Sequence, residues 1–295
     1  MKVGSVGVET LFRWSKFVGE ERLEEWEARL IMAEVVYTVE KQVNRKNWQI
    51  SSYSTSREIA DELRVLFGGG VTEVRPDDWQ PTSDVGVQTQ IKIRDVMVIT
   101  ESEDEAVWES VKSEFPDRLV LSFPPQLAFG TGGHPTTSGC LRFLADVAKE
   151  RKDVEWRLLD LGCGSAILAV AAVLLGAKEA IAVENDPLAI KYARRNAERH
   201  GVAGRIKFVE GDAIALMDRC EFGRFEVVAA NLFSDLLIQL FPLFPRNLLE
   251  GGEIIVSGFL TSQTRLVTDS AASSGLPLSK FQRRGKWVAA FGKEE

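Results

Sequence analysis

Two glycines, Gly162 and Gly164, follow the apolar run RLLDLG (157–162) and open the segment ILAVAAVLLG, a strand-to-helix turn read from sequence. Glycine there lets the chain turn sharply and lets a ligand lie against main-chain N–H groups near a helix N-terminus. The spacing Gly162-x-Gly164-x-Ala166 places Ile167 where dinucleotide folds carry their third glycine, which disfavours hydride-transfer chemistry. Glu184 ends the next apolar run, about twenty residues on, where an acid can accept both hydroxyls of a ribose. A helix-capping acid is the alternative reading, although Asp186 suits that role better. Asp212, in VEGDA after the third run, stands where a carboxylate could take an adenine amino group, or where a turn residue would stand. Asp160, at the end of the first run, could face the polar tail of the same ligand through backbone or water. Asn231, in AANLF, closes the fourth run, and its amide could orient an amine lone pair toward an electrophilic methyl group. Methyl transfer needs in-line approach, a deprotonated nucleophile and exclusion of water, so no general base is obligatory.

These residues share one edge only if the runs that carry them are parallel strands. From Leu119 onward short apolar runs alternate with helical patterns, the signature of an open parallel sheet covered on both faces. RLLDLG (157–162), AIAVE (180–184), RIKFVEG (205–211), FEVVAANL (225–232) and GEIIVSGF (252–259) read as successive strands. LSKFQRR (278–284) and KWVAAFG (286–292) read as a closing antiparallel hairpin about Gly285. ILAVAAVLLG is apolar all round, which predicts a buried helix ended by Gly176. Asp186 as cap, Pro187 at the first helical position and Gly201 as stop delimit an amphipathic helix over LAIKYARRNAERH.

The first hundred residues read differently. Strands are expected at LFRWSKFV (11–18) and near NWQISSY (47–53), with a charged helix over EERLEEWEARL (20–30) and another, REIADELRVLF, after Ser56 and ended by Gly68-Gly69-Gly70. That order suits a small α+β domain of ferredoxin type. A polar stretch around PDDWQPTSD (76–84), one strand IKIRDVMVI (91–99) and a solvated acidic run ESEDEAVWES (101–110) then lead onward. The expected division is an N-terminal α+β recognition domain over 1–105, an entry segment over 106–124 and the ligand-binding domain over 125–295.

Composition narrows the classes. With 295 residues and 45% hydrophobic content the chain can bury two cores. It contains no apolar run of bilayer-spanning length, and the start MKVGSVGVETLFRW lacks the apolar core of a secretory signal, so a cytoplasmic protein without membrane contact is expected. Three scattered cysteines, Cys140, Cys163 and Cys220, read as reduced apolar residues, and with only two histidines, His134 and His200, no metal site is expected. The net charge of -7 argues against direct nucleic-acid binding. Residues 1–118 carry 15 Lys+Arg against 23 Asp+Glu, whereas residues 119–295 carry 21 against 20. The acidic part is either solubilising surface or an attraction for a basic partner. Oligomeric state is not encoded in these features.

A longer pattern adds to this. LAFGTGGHPTTSGCLRFL (127–144), LDLGCGSAILAVAAVLLGA, VENDPLAIKYARRNAERHGV, VVAANLFSDLLIQLFP, LLEGGEIIVSGFLTSQ and KWVAAFG together resemble the bacterial ribosomal protein L11 methyltransferase family, almost continuously from about residue 125 onward. The FGTG-x-HPTT segment is the most diagnostic part. The resemblance implies an α/β fold of class I methyltransferase type, Rossmann-like with a seven-stranded sheet, and a smaller N-terminal domain that recognises the ribosomal protein. It implies S-adenosyl-L-methionine as cofactor, with contacts from Thr137, Gly162, Glu184 and Asn231. Phe129, Gly130, Thr131 and Gly132 would fold over the methionine moiety and the methyl group, and His134 would shape this loop. The chain departs from the family where Gly133 replaces threonine or serine, Ala166 replaces glycine and Glu184 replaces aspartate.

The expected activity is therefore transfer of methyl groups to lysine side-chain and N-terminal amines of ribosomal protein L11, with Asn231 as the catalytic residue. Another protein or a small molecule as acceptor, or a non-catalytic cofactor-binding module, are the alternatives. Nucleic-acid amine methylation is disfavoured, because Leu232-Phe233 follows Asn231 in place of a Pro-Pro-aromatic triplet.

Overall fold

The structure is a computed structural model that describes residues 11–32, 35, 37–41, 47–54, 56–74, 90–124, 130 and 132–294. The chain divides into two units, residues 1–86 and 87–295. That division precedes the expected boundary near 105, so the 91–99 segment belongs to the second unit.

In the first unit β1 (Leu11–Val18), α1 (Leu23–Met32), β2 (Thr38–Lys41), β3 (Trp48–Ser54), α2 (Arg57–Phe67) and β4 (Gly70–Val74) follow in order. The sheet runs β2-β3-β1-β4 with every pairing antiparallel, the split βαβ arrangement of the ferredoxin type. Its core gathers Trp14, Val18, Trp26, Leu30, Ile50 and Leu63. Ser56 caps α2 by accepting the Ile59 N–H, and Gly68 ends it at φ 67°. The last carbonyls of α2 are taken from β1, where the Trp14 indole donates to Gly68 O and the Lys16 ammonium donates to Phe67 O, each at 2.7 Å. The PDDWQPTSD segment lies outside the described residues.

The second unit opens with β5 (Ile91–Ile93) and β6 (Met97–Thr100), then α3 (Glu105–Glu114) and β7 (Leu119–Ser122). The single strand expected over 91–99 is a hairpin, because Arg94 adopts φ 51° and reverses the chain. The acidic run read as solvated linker instead enters α3, capped by Asp104 through the Ala106 N–H at 2.9 Å. Trp108 and Val111 form its buried stripe, and the Trp108 indole donates to Val120 O of β7.

Next come α4 (Pro135–Glu150), β8 (Arg157–Leu161), α5 (Ile167–Leu174), β9 (Glu179–Glu184), α6 (Pro187–Arg199), β10 (Ile206–Glu210), α7 (Ala213–Asp218) and β11 (Phe225–Asn231). They are followed by α8 (Ser234–Leu240), α9 (Phe244–Asn247), β12 (Leu248–Leu260), α10 (Thr264–Ser273), β13 (Leu278–Arg284) and β14 (Trp287–Lys293). The seven-stranded sheet has the order β10-β9-β8-β11-β12-β14-β13, with β14 antiparallel to both neighbours. Two apolar layers cover it. Helices α4 and α5 lie with Leu158, Val227 and Ile255 on one face, while Phe241, Phe244 and Val267 lie with Leu159, Val228 and Ile254 on the other. The predicted hairpin is present, with Gly285 at φ 58° between β13 and β14.

The order reverses between β8 and β11, since the chain leaves β8 toward β9 and β10 and then returns to the other side. In open parallel sheets ligands bind at such a switch point, outside the carboxyl ends of the strands. That edge carries the candidate site.

Candidate active site

Strand register sets the row. Leu161 pairs with Val183 and with Ala230, so Gly162 emerges beside Glu184 on one side and Asn231 on the other. Glu184 pairs with Glu210 and Asn231 pairs with Ser257, which extends the row across five strands.

The glycine turn is built for close approach. Gly162 and Gly164 have φ of 65° and 52°. A Cβ on Gly162 would come within 2.4 Å of Leu232 Cδ2, so Leu232 seats against this glycine and fixes the chain leaving Asn231. Ala166 is also left-handed, at φ 61° and ψ 26°, and wholly buried at the N-terminus of α5. Having no side-chain acceptor, Ala166 cannot cap that helix. Asp160 does so from inside the sheet, its Oδ2 accepting the Ala169 N–H at 3.1 Å. Burial pushes the Asp160 carboxyl up to about 7; the Ala169 N–H opposes the rise and the Glu184 charge adds to it.

The left-handed conformation of Ala166 gives a test of backbone strain. An alanine in the left-handed region costs about 1–2 kcal/mol, against about 0.5–1 kcal/mol of extra unfolded-chain freedom for glycine. Ala166→Gly is expected to raise Tm by about 1–3 °C in a thermal melt. A lower Tm would mean that packing of the buried methyl outweighs the strain.

Glu184 ties the turn to the end of β9. Its Oε2 accepts the Gly164 N–H at 2.9 Å, and its Oε1 accepts the Asn185 and Asp186 N–H groups at 2.9 and 3.1 Å. Asp186 caps α6 through the Leu188 N–H at 2.8 Å, as its sequence position suggests. Three of the roughly four acceptor sites of the Glu184 carboxylate are thus used, and its orientation is fixed. Asp212 caps α7 through the Ala215 N–H at 2.7 Å, and Gly211, beside it, donates to Glu184 O.

Two residues that sequence reasoning missed hold the turn against the FGTG segment. Ser165 donates from Oγ to Gly130 O at 2.5 Å, and Asn196 of α6 donates from Nδ2 to Ser165 O at 2.9 Å. Asn196 lies among Ile190, Ala193 and Ala197 on the buried face of its helix. A polar residue on an apolar stripe was the available signal. Phe129 and Thr131, expected over the methyl group, lie outside the described residues.

Asn231 and Thr137 meet at the centre of the row. Asn231 Nδ2 donates to Thr137 Oγ1 at 3.4 Å, and Thr137 is buried in the first turn of α4. Asn231 Oδ1 is buried and has no hydrogen-bond partner among the described residues. An orphaned amide oxygen costs roughly 1–3 kcal/mol, so this acceptor is suited to an incoming N–H donor. His134 caps α4, its ring accepting the Thr136 N–H, and packs edge-on against Trp287 at 5.1 Å. Its printed partners thus lie at the start of α4 and on β14.

Both histidines are held neutral. Burial, then the Lys286 charge, lowers His134 to about 4. His200 is also lowered to about 4, chiefly by burial, and accepts the Ser122 N–H at Nε2 while stacking on Phe123. Between about 4 and 6.5 the unfolded histidines bind protons that the folded ones do not, so their stabilisation is full above 6.5 and is lost as pH falls. Asp160, raised from 3.8 to about 7, acts oppositely with one proton. The net expectation is a urea midpoint that rises from pH 5 to pH 6.5, with a slope of at most about one proton. The combined His134→Asn and His200→Gln substitutions should remove that rise; a midpoint falling with pH in the parent chain would contradict the assignment.

Among the described residues no group of three or more His, Cys, Asp or Glu could hold a metal ion, and no helix is long and apolar enough to cross a membrane. The described cysteines are free, Cys140 and Cys163 being buried.

The reversed sheet order, the antiparallel penultimate strand and the glycine turn at the switch point define a class I S-adenosylmethionine-dependent methyltransferase fold. A family model for ribosomal protein L11 methyltransferase (PrmA) matches residues 4–295. The chain belongs to that family. It is 39% identical over 182 residues to a ribosomal protein L11 methyltransferase of Pelotomaculum thermopropionicum, covering 62% of this chain and 56% of the relative. A second relative of that name, from Pelobacter propionicus, is 33% identical over 220 residues, covering 74% of this chain and 67% of its own length. The matched stretch thus spans between about half and two thirds of these relatives. The crystal structure of a ribosomal protein L11 methylase from Lactobacillus delbrueckii subsp. bulgaricus is similar, with TM-score 0.57 and 27% identity, covering 70% of this chain and 99% of that one.

Proposed function

We propose that this chain is an S-adenosylmethionine-dependent N-methyltransferase acting on lysine and N-terminal amines of ribosomal protein L11. The observation that carries this reading is the buried Oδ1 of Asn231 at the switch point of the sheet, which has no partner among the described residues. When bound, S-adenosylmethionine supplies an electrophilic methyl on its sulfonium. Glu184 would hold the ribose, the main chain at Gly162 and Gly164 would lie against the cofactor, and Asp212 would face the adenine. Thr137 and Gly130, with Phe129 and Thr131 in the same segment, would enclose the methionine end. Asp160 supports them by holding α5 and the turn in place.

A neutral amine donates one N–H to Asn231 Oδ1 and directs its lone pair along the line of attack. Thr137 holds the amide in that orientation by accepting from Nδ2. A protonated lysine has no lone pair, and desolvation of its ammonium on binding would lower its pKa and favour the neutral amine. The acidity of residues 1–118 suits a basic protein partner.

The test is incubation with labelled S-adenosylmethionine and ribosomal proteins from cells that lack this activity. Label confined to L11 is expected. Cofactor binding without label in any protein would leave a binding module, and label in a different protein would change the substrate.

A further inference from the structure

A cleft of about 700 Å³ lies in the second unit, lined by the β5–β6 hairpin, the first two turns of α4 and the end of β13. Residues distant in sequence meet there. Lys92 and Arg94 come from the hairpin, Arg142 from α4, and Arg283 and Arg284 from β13, with Glu101 as the acid in the described lining. Arg94 is held by a two-pronged pair with Asp146, at 3.1 and 2.7 Å. Arg142 donates to Lys92 O at 3.1 Å, which anchors its guanidinium beside the hairpin. Arg283 and Arg284 are exposed, and neither has an ion pair among the described residues.

Like charges crowd here. The Arg142 guanidinium is held below its ordinary value by burial and then by the Arg94 and Arg284 charges, with Asp146 opposing. Gathering guanidinium groups against their own repulsion stabilises nothing by itself, and an anionic ligand would relieve it. The chemistry of the lining narrows the anion. Arginine forks match phosphate oxygens in two-pronged fashion, and the arginines that line this cleft come from three separate elements, the hairpin, α4 and β13. No aromatic side chain is among the described lining residues, so there is no platform on which a base could stack.

We infer that this cleft binds the phosphodiester backbone of a nucleic acid, through its phosphates and without reading bases. A basic protein such as the proposed substrate would be repelled from it. The chain's net charge of -7 concealed it, because the cationic residues are dispersed among acidic ones in sequence and gathered only by the fold.

The experiment is fluorescence anisotropy of the full chain with labelled twelve-nucleotide oligo(U) and oligo(dT). Micromolar binding to both, within about threefold of each other, is expected, with log K falling against log salt at a slope of about -2 to -3 for three or four phosphates. The double variant Arg283→Gln and Arg284→Gln should weaken binding at least tenfold, with an unchanged Tm and unchanged S-adenosylmethionine affinity. Absence of binding, unchanged binding by the variant, or affinity that depends on base identity would each overturn the inference. So would equal competition by polyglutamate or by inorganic phosphate at matched charge, since either would reduce the cleft to a general anion site. None of these outcomes depends on methyl transfer to L11, so this inference and the proposed function fail separately.

Discussion

Asn231→Ala is expected to lower kcat by about 10²–10³-fold, the magnitude associated with losing a group that positions reacting atoms. The substitution removes the acceptor oxygen that has no partner among the described residues and the amide that reaches Thr137 Oγ1 at 3.4 Å. Stability should change little or rise, because an orphaned polar atom leaves the interior along with its desolvation cost. That combination separates catalysis from folding. Asn231→Asp is informative in a second way, since it keeps an acceptor but adds charge beside the cofactor. Near-normal turnover by Asn231→Ala, measured with the same protein substrate and a Tm at or above the parent value, would remove Asn231 from the site.

Glu184→Ala should weaken S-adenosylmethionine binding by about 10–100-fold, the loss expected when hydrogen bonds to a charged acceptor disappear. Here two effects combine. The carboxylate proposed for the ribose is lost, and the Gly164 N–H loses the partner that fixes the turn. Glu184→Gln distinguishes them, because its amide oxygen can still accept from Gly164 while it lacks the charge and one acceptor. Glu184→Asp is expected to bind within about threefold of the parent, as it keeps the carboxylate on a shorter arm. Titration calorimetry reads all three. Parent-like affinity in Glu184→Ala would place the ribose elsewhere.

The site-bearing edge was legible because its positions follow from hydrophobic pattern alone. A run of buried residues identifies a strand, and whatever polar residue follows it stands at the carboxyl edge, as Glu184 and Asn231 do. The ends of α6 were equally plain, since Asp186, Pro187 and Gly201 each act through the local backbone. Contacts between distant segments were not. Nothing local says that the Asp160 carboxylate caps α5, that Ser165 latches Gly130, or that the Asn231 oxygen has no partner among the described residues. The short strands β2 and β4 escaped notice because four or five residues with mixed exposure lack a clear alternation. In α3 the density of acidic residues obscured a helical stripe at Trp108 and Val111, and the Asp104 cap was the missed signal.

The most direct test of the central claim is site-mapped mass spectrometry of unmethylated ribosomal protein L11 after reaction with this chain and S-adenosylmethionine. The account predicts whole methyl increments located on lysine or N-terminal nitrogens, and none with Asn231→Ala over the same period. Unmodified L11, or methyl groups on oxygen or sulfur, would contradict it.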